Sequence, residues 1–306
     1  MRSIEVLAPG LFTTVQDLGR PGFGPIGVSA AGAADPMALR LANRQLGNPE
    51  GAAGLEMTLQ GGQFAFPEGG WIALGGSDFG CSVEGSAVPL WTPREISAGQ
   101  VLTCGRTHAG ARCYLCVRGG IQVPLILGSA STHVAIGMGG LEGRALRRGD
   151  RLAIGADVEG HRLAAMAPEG AGQRAVFRVT AGPQEEWFTA ASIEGFYEKP
   201  YRVTAEANRM GIRLSGTPLQ TVGNAELVSE GVALGSIQVP AGGQPVILFV
   251  EQQTTGGYAK IANVIAADLP ALGQLKPGDE IRFQRVDYRE AREILYVQER
   301  WIRSRH

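Results

Sequence analysis

The sequence predicts a mainly β protein with a few short helices. Gly accounts for 45 of 306 residues, about twice its usual share, without collagen periodicity, which is typical of many tight turns between short strands. Two Gly-Asp turns, at Gly149 and Gly278, each lead into an alternating segment, as in the closing hairpin of a β-barrel. Apolar or β-branched segments bounded by Gly, Pro or Asp predict strands at residues 71–74, 101–104, 113–117, 176–180, 245–250 and 280–285.

Three helices are expected between these strands. Asp35 and Pro36 supply an N-cap and a first-turn proline, and Gly47 ends that helix. A second helix is predicted from Gln184 to Ala191, after a Gly-Pro pair. A third follows Asp287, with one face formed by Ala291, Ile294, Leu295 and Gln298.

The length is sufficient for two average domains. Residues 163–173 are rich in Ala, Gly and Pro and lack a strand pattern, so they form the best linker candidate. We therefore predict an N-terminal domain over residues 1–167 and a C-terminal domain, with the terminal helix, over residues 168–306. Similar short segments at 120–124 and 236–240 are consistent with a diverged duplication.

Charge and hydropathy argue against two classes of partner. Lys and Arg number 28 against 29 Asp and Glu, whereas nucleic-acid binding needs a basic surface that displaces counterions. The longest uncharged stretch, residues 119–141, contains Pro124, His133 and repeated Gly, unlike a membrane-spanning helix. The N-terminus lacks the apolar core of an export signal, so we expect a cytoplasmic protein whose four cysteines stay as thiols.

Several catalytic or cofactor motifs fail their context test. Residues 22–27 match the dinucleotide fingerprint in letters, but neither a strand before them nor a helix directly after them is predicted. Cys113 and Cys116 could indicate zinc, yet they lie in a predicted strand, where residues three apart face opposite sides; buried thiols are the favoured interpretation. We expect no metal. A Walker loop and a Gly-x-Ser-x-Gly elbow are both absent from the sequence.

Polar residues and Gly cluster in three segments, residues 13–35, 119–132 and 251–260. The last, EQQTTGGYAK, follows a predicted buried strand and places amides, hydroxyls and flexible N–H groups in one turn. Such donors could bind a planar amide and stabilise charge on its oxygen. The alternative is a hairpin capped by hydroxyl groups.

Residues 13–22 (TTVQDLGRPG), 27–36, 235–240 (GSIQVP) and 253–258 (QTTGGY) resemble the biotin-dependent carboxyltransferase family. This family is also called allophanate hydrolase subunit 2 or KipA-like, and it includes the C subunit of bacterial 5-oxoprolinase. The resemblance extends from residue 4 to about residue 285. Glu251 departs from it, because Asp is expected there, and the change moves the carboxylate by one methylene group.

The resemblance implies cyclophilin-like β-barrel domains and an obligate KipI-like B subunit, with the A subunit of 5-oxoprolinase completing the assembly. The complex would use ATP, and this chain alone would bind no cofactor. A biotin carrier needs a lysine between two methionines, and Ala165-Met166-Ala167 lacks one. Any carboxybiotin would therefore come from another chain.

Three functions follow from the resemblance. The first is conversion of 5-oxoproline to glutamate, with ATP hydrolysis, as the C subunit of a complex. The second is carboxyl transfer in an enzyme like urea carboxylase. The third is regulation without turnover, in which the chain antagonises a KipI-like kinase inhibitor.

The predicted site combines two groups of residues. Its catalytic residues are Asp17, Thr255 and Tyr258. Arg20 would bind a substrate carboxylate through its planar guanidinium, with Asp17 orienting it or acting as a base. In the alternative, Asp17 and Arg20 form a buried pair that fixes a turn. The remaining predicted substrate-binding residues are Gln16, Ser29, Asp35, Gln253, Thr254, Gly256 and Gly257.

Overall fold

A computed structural model describes residues 2–157, 165, 174–223 and 227–304. The described chain is mainly β, which confirms the predicted class. It divides into two compact units, one formed by Met1–Arg20 with Ala31–Gln173, the other by Pro21–Ala30 with Arg174–His306. The predicted linker and the boundary after residue 167 lie outside the described residues, apart from Ala165. No helix in the described ranges is long and apolar enough to cross a membrane.

The first unit contains twelve strands in two sheets. One sheet has the order β11-β12-β1-β4-β9-β6-β7, and the other has the order β2-β3-β10-β5-β8. The strands are β1 Ser3–Ala8, β2 Phe12–Gln16, β3 Gly54–Thr58, β4 Gln63–Ala65, β5 Gly70–Gly76, β6 Ser82–Val83, β7 Ser86–Ala87, β8 Arg94–Ile96, β9 Val101–Thr103, β10 Arg112–Val117, β11 Ile121–Gln122 and β12 Arg151–Ile154. The turn at Gly149 leads into β12 as predicted, and β12 pairs with β1 and β11. The hairpin predicted at this turn is wrong, because neither partner of β12 ends there.

Helix α1, Pro36–Gln45, packs on β5 and β10. As predicted, Asp35 is its N-cap, and its Oδ1 accepts from the Ala38 N–H at 3.0 Å. Gly75 in β5 allows the close approach of this helix, because a Cβ there would lie 2.7 Å from the Ala38 carbonyl oxygen. Side chains from both sheets, such as Phe64, Leu102 and Leu115, form one buried apolar core.

The second unit contains a closed barrel with the order β13-β20-β17-β18-β15-β14-β21. Its strands are β13 Val176–Ala181, β14 Tyr201–Val203, β15 Gly211–Ser215, β16 Glu230–Gly231, β17 Ser236–Val239, β18 Val246–Leu248, β19 Thr255–Gly256, β20 Ala259–Val264 and β21 Glu280–Arg285. The turn at Gly278 leads into β21, which pairs in parallel with β13 and antiparallel with β14. Strands β16 and β19 form a separate two-stranded sheet. The predicted barrel is therefore present in this unit, whereas the strands of the first unit form two sheets.

The helices of the second unit are α2 Ala190–Glu198, α3 Leu269–Leu272 and α4 Tyr288–Arg303. The third predicted helix is confirmed as α4, capped by Asp287, and Ala291, Ile294 and Leu295 pack on an apolar cluster. The helix predicted from Gln184 to Ala191 is wrong. Residues Glu185–Trp187 form a 3-10 turn, and α2 begins later because Thr189 Oγ1 accepts from the Ser192 N–H at 3.2 Å.

Candidate functional site

The Asp17 carboxylate is buried at the end of β2 and accepts four hydrogen bonds. Its Oδ1 accepts from the Gly19 N–H at 2.7 Å and from the hydroxyls of Ser129 and Ser131 at 2.6 and 2.5 Å. Its Oδ2 accepts from the Ala130 N–H at 2.7 Å. These bonds join the 17–20 turn to the 129–131 segment, so the geometry supports a structural task for this carboxylate.

Arg20 is almost fully buried and contacts the same segment. Its Nε donates to the Ile126 carbonyl oxygen at 3.3 Å, and its Nη2 donates to the carbonyl oxygen of Ser131. The guanidinium therefore binds backbone of the 126–131 segment. A contact between Arg20 and a substrate carboxylate stays a prediction.

Gln16 is fully buried beside Asp17. Its Nε2 donates to Thr14 Oγ1 and to the Thr132 carbonyl oxygen, both at 3.0 Å. Its Oε1 has no hydrogen-bond partner among the described residues. An acceptor in such a position costs free energy unless a donor binds it, which keeps Gln16 a candidate binding residue.

Asp35 combines its cap with a buried polar chain. Its N–H donates to the Tyr114 hydroxyl at 2.7 Å, and this hydroxyl donates to Glu56 Oε2 at 2.7 Å. Burial and the charge of Glu56 raise the pKa of Tyr114 well above its ordinary value, so the hydroxyl stays protonated. The geometry therefore gives Asp35 a structural task, and its predicted substrate contact stays a prediction.

The predicted amide-binding turn in the second unit lies on β19. Thr255 pairs with Gly231, and Gly256 pairs with Glu230, across the small sheet. The side chain of Thr255 is exposed, and Tyr258 is 50% exposed. The carbonyl oxygen of Thr254 accepts from the Val232 N–H at 3.1 Å, which fixes the turn from its other end.

Gln238 is a buried amide beside this turn. Its Oε1 accepts from Gln253 Nε2 at 3.3 Å, whereas its Nε2 has no partner among the described residues. A Cβ on Gly256 would overlap that Nε2, so glycine is needed at position 256 to leave the amide in place. On Gly257, a Cβ would lie 3.1 Å from the Leu227 carbonyl oxygen. The barrel strand therefore places an amide donor without a partner among the described residues beside the turn that carries the exposed Thr255 side chain. The predicted use of the Gly256 N–H as a substrate donor is wrong, because that group lies in the β16–β19 ladder.

A buried lysine lies next to Gln238. Lys260 and Gln238 are cross-strand partners in β20 and β17. Lys260 Nζ binds Glu230 Oε1, and Gln184 Nε2 donates to that same oxygen at 3.1 Å. The hydrogen bonds from Lys260 and Gln184 lower the pKa of Glu230, which favours its charged form beside the buried ammonium group.

Glu251, which departs from the family pattern, is buried before the turn. Its Oε1 accepts from Arg209 Nε at 2.5 Å, and its N–H donates to the Arg209 carbonyl oxygen at 2.8 Å. The geometry therefore gives this carboxylate the task of fixing the strand end.

Ser29 lies in the 21–30 segment of the second unit. Its buried Oγ has no hydrogen-bond partner among the described residues. The dinucleotide-like glycines of the same segment flank a 3-10 turn, Gly24–Ile26, rather than the start of an α-helix.

The structure thus divides the predicted residues into two groups, one in each unit. The first unit brings together Gln16, Asp17 and Arg20, while Asp35 caps α1. The second unit holds Ser29 and the 253–258 turn. That both groups contribute to one cleft stays a prediction.

Sequence reasoning missed Gln184, Glu230, Gln238 and Lys260, as well as Ser129 and Ser131. Lys260 had a usable signal, because it is one of three lysines in the chain and interrupts an apolar strand. Glu230 and Gln184 had none, since only the folded chain brings them near residue 260. Among the described residues, no group of three or more His, Cys, Asp or Glu side chains could hold a metal ion.

Comparisons with known proteins agree with the resemblance. The profile of the family described as carboxyltransferase domain, subdomain A and B, matches residues 26–285. The chain is 40% identical to the C subunit of 5-oxoprolinase from Escherichia coli K12, covering 98% of this chain and 96% of that protein. It is 36% identical to the C subunit of 5-oxoprolinase from Haemophilus influenzae, covering 95% and 94% respectively.

A solved structure gives the same result for the fold. The crystal structure of the Kluyveromyces lactis urea amidolyase matches with a TM-score of 0.92 at 33% identity. The match covers 99% of this chain but 20% of that one. The fold of this chain therefore corresponds to one segment of that urea amidolyase.

Proposed function

The chain belongs to the carboxyltransferase domain family, subdomains A and B, and from this premise we propose that it works as the C subunit of a 5-oxoprolinase. In this proposal the complex converts 5-oxoproline to glutamate while ATP is hydrolysed. The chain would act with two partners, a KipI-like B subunit and the A subunit of the enzyme.

The observation that carries the proposal is the match over nearly the full length of two relatives, each named as the C subunit of 5-oxoprolinase. The urea amidolyase match covers a fifth of that enzyme. The matches to the two C subunits extend over nearly all of each relative, so they support this proposal more strongly than the urea amidolyase match does.

The chemistry of the substrate agrees with the groups on the turn. 5-Oxoproline is a lactam, and its amide resists attack because resonance delocalises the nitrogen lone pair. Donors aimed at the carbonyl oxygen stabilise the charge that develops there when the C–N bond is broken. Gln238 Nε2, the Thr255 hydroxyl and the Gly257 N–H group are the candidate donors of this chain, whereas the Gly256 N–H faces Glu230 across the small sheet.

The ion pair between buried Lys260 and exposed Glu230 would set the charge of this site. Lys260 binds Glu230, so the pair as a whole is neutral. The ammonium group of Lys260 still places a positive charge near Gln238. Tyr258, half exposed at the end of the turn, would complete the donor set with its hydroxyl. Gln253 would fix Gln238 through the 3.3 Å bond to its Oε1.

The first unit would supply the partner surface. Within the uncharged stretch 119–141, Leu125 and Ile136 are 64% and 55% exposed. Exposed apolar side chains in one stretch are typical of protein interfaces. We propose this stretch as a contact with the KipI-like partner.

A second candidate function is supported by the urea amidolyase fold match. Urea is also a planar amide, and the same donors could bind it. In that case a carboxybiotin carried by another chain would supply the carboxyl group, since this chain carries no biotinylation motif.

The test is 5-oxoproline-dependent ATP hydrolysis by the complex reconstituted with its two partners. Gln238→Leu and Thr255→Val should each lower kcat by about 10²-fold, because each removes one donor to the developing oxyanion. Arg20→Lys tests the predicted carboxylate contact, and an effect confined to KM would support it.

Gln244→Leu is the matched control. Gln244 exchanges two hydrogen bonds with Gly216, at 2.9 and 3.2 Å, in another turn of the same barrel. Its substitution should leave kcat unchanged. Turnover of urea and carboxybiotin without 5-oxoproline activity would favour the second candidate, and relief of a KipI-like inhibitor with neither turnover would favour regulation.

A further inference from the structure

Two of the four cysteines face each other across neighbouring strands. Strands β6 and β9 are antiparallel, with Ser82 opposite Thr103 and Val83 opposite Leu102. Cys81 and Cys104 are the residues directly beyond the last pair of this ladder, Ser82 and Thr103. Both side chains are buried and both are free thiols.

The backbone hydrogen bonds show which kind of cross-strand pair this is. The Cys104 N–H donates to the Gly62 carbonyl oxygen at 2.8 Å, away from Cys81. The Cys81 carbonyl oxygen accepts from the Val88 N–H at 2.8 Å, away from Cys104. Neither of these backbone groups joins the two cysteines, as in a non-hydrogen-bonded cross-strand pair, where the Cα atoms are typically about 4.5 Å apart and the side chains are closest. That spacing lies within the range a disulfide can bridge.

A third thiol, that of Cys113, also forms a hydrogen bond with Cys81. Hydrogen bonds from Cys104 and Cys113 lower the pKa of Cys81 below its ordinary value, while burial and the charge of Asp78 oppose this. The pKa values of Cys104 and Cys113 are raised, mainly by their bonds to Cys81. Cys81 is therefore the thiol of the three that most readily becomes a nucleophile.

A surface cavity lies beside one residue of the pair. Cys104 is among the residues that line a surface cavity of about 490 Å³, together with residues 8–11 and 60–63. Gly61 allows this arrangement, since a Cβ there would overlap Cys104 Cβ. In the proposal below, a hydroperoxide approaches the pair from this side.

We propose that Cys81 and Cys104 form a reversible disulfide when the protein meets a hydroperoxide. The Cys81 thiolate attacks the O–O bond of hydrogen peroxide, which gives a sulfenic acid and releases hydroxide. The Cys104 thiol then attacks that sulfur, so the S–S bond forms, the S–O bond breaks and water leaves. Overall, two thiols and one peroxide give one disulfide and two waters, and a small dithiol reverses the reaction.

The test is peptide mapping of the full chain after treatment with hydrogen peroxide. Trypsin places Cys81 in residues 45–94, Cys104 in residues 95–106, and Cys113 with Cys116 in residues 113–118. We expect loss of two of the four thiols and a covalent link between peptides 45–94 and 95–106 that dithiothreitol removes.

Two variants and the urea-unfolded chain serve as controls for this link. Cys116→Ser should still form the link, because Cys116 Sγ lies against the Leu39 carbonyl oxygen at 3.9 Å and outside the trio. Cys104→Ser should lose it. The wild-type map decides even where a variant fails to fold: a link from Cys81 to peptide 113–118 overturns the proposal. So does retention of all four thiols by the native chain under peroxide that oxidises the urea-unfolded chain.

Discussion

Asp17 and Asp78 form the same local hydrogen bond in different surroundings, and the surroundings decide the structural role of each. Each Oδ1 accepts from the N–H two residues later, Gly19 or Gly80, at 2.7 Å. Asp78 makes this bond on the exposed surface, whereas buried Asp17 adds two hydroxyls and a further N–H. The same local turn therefore lies on the surface at Asp78, whereas at Asp17 it joins two segments that are distant in the sequence.

This difference predicts unequal costs of the same substitution. Asp17→Asn should destabilise the chain by about 2 to 4 kcal/mol, because it removes a charge and turns an amide N–H₂ toward donors. Asp78→Asn, the matched control, should cost less than about 1 kcal/mol. Urea unfolding measures both, and equal values for the two variants would contradict the assigned role of Asp17.

The sequence indicated which residues of this group are polar, but not their partners. Ser129 and Ser131 lie 112 and 114 positions from Asp17. No local pattern encodes contacts over such a distance, since they depend on which strands become neighbours. The alternative interpretation was that Asp17 and Arg20 form a buried pair that fixes a turn. Both side chains are buried, and both bind the 126–131 segment.

Elements with their own capping residues were predicted well. Asp35 and Asp287 marked the starts of α1 and α4, because a cap is a local signal. Helix α2 was misplaced because the Gly-Pro pair suggested an earlier start than the actual cap, Thr189. The closure of the barrel depended on nonlocal pairing, and only the turn before its last strand, at Gly278, had a sequence signal.

At the first of these caps, Asp35→Ala should destabilise the chain by about 1 kcal/mol, with a range of about 0.5 to 2, through loss of the bond to the Ala38 N–H. Asp35→Asn retains an acceptor and should recover most of that loss. Thermal unfolding of both variants measures the difference. An Asn variant as unstable as the Ala variant would show that the charge, not the cap, matters.

The turn before β12 contributes a pH-dependent stability. Arg144 binds both carboxylate oxygens of Asp150, at 2.8 and 3.0 Å, and holds the pKa of Asp150 below its ordinary value, although partial burial opposes this. The stabilisation is present above the unfolded pKa of ~3.9 and is lost as pH falls through the lower folded pKa.

Asp150→Asn and Arg144→Gln should therefore each reduce the drop in the urea midpoint between pH 6 and pH 3. The double variant should behave like either single variant, since both remove one interaction. A drop as steep as that of the wild type in both single variants would contradict this assignment.

For the whole molecule, the proposed function requires partners. The purified chain should show no 5-oxoproline-dependent ATP hydrolysis alone, and activity should appear when both partner chains are added. Release of phosphate with and without 5-oxoproline measures this. Activity of the isolated chain would contradict the division of the site among several chains.

The parallel pairing of β13 with β21 also has a consequence for folding. Val176 lies opposite Arg282, and Val179 lies opposite Arg285, so the first and last strands of the barrel are neighbours. During synthesis, β13 leaves the ribosome long before its partner exists and its edge stays unpaired until β21 emerges. Contacts so distant along the chain are slow to form, so closure of the barrel should be a late event and its edge strands the segment that chaperones protect meanwhile.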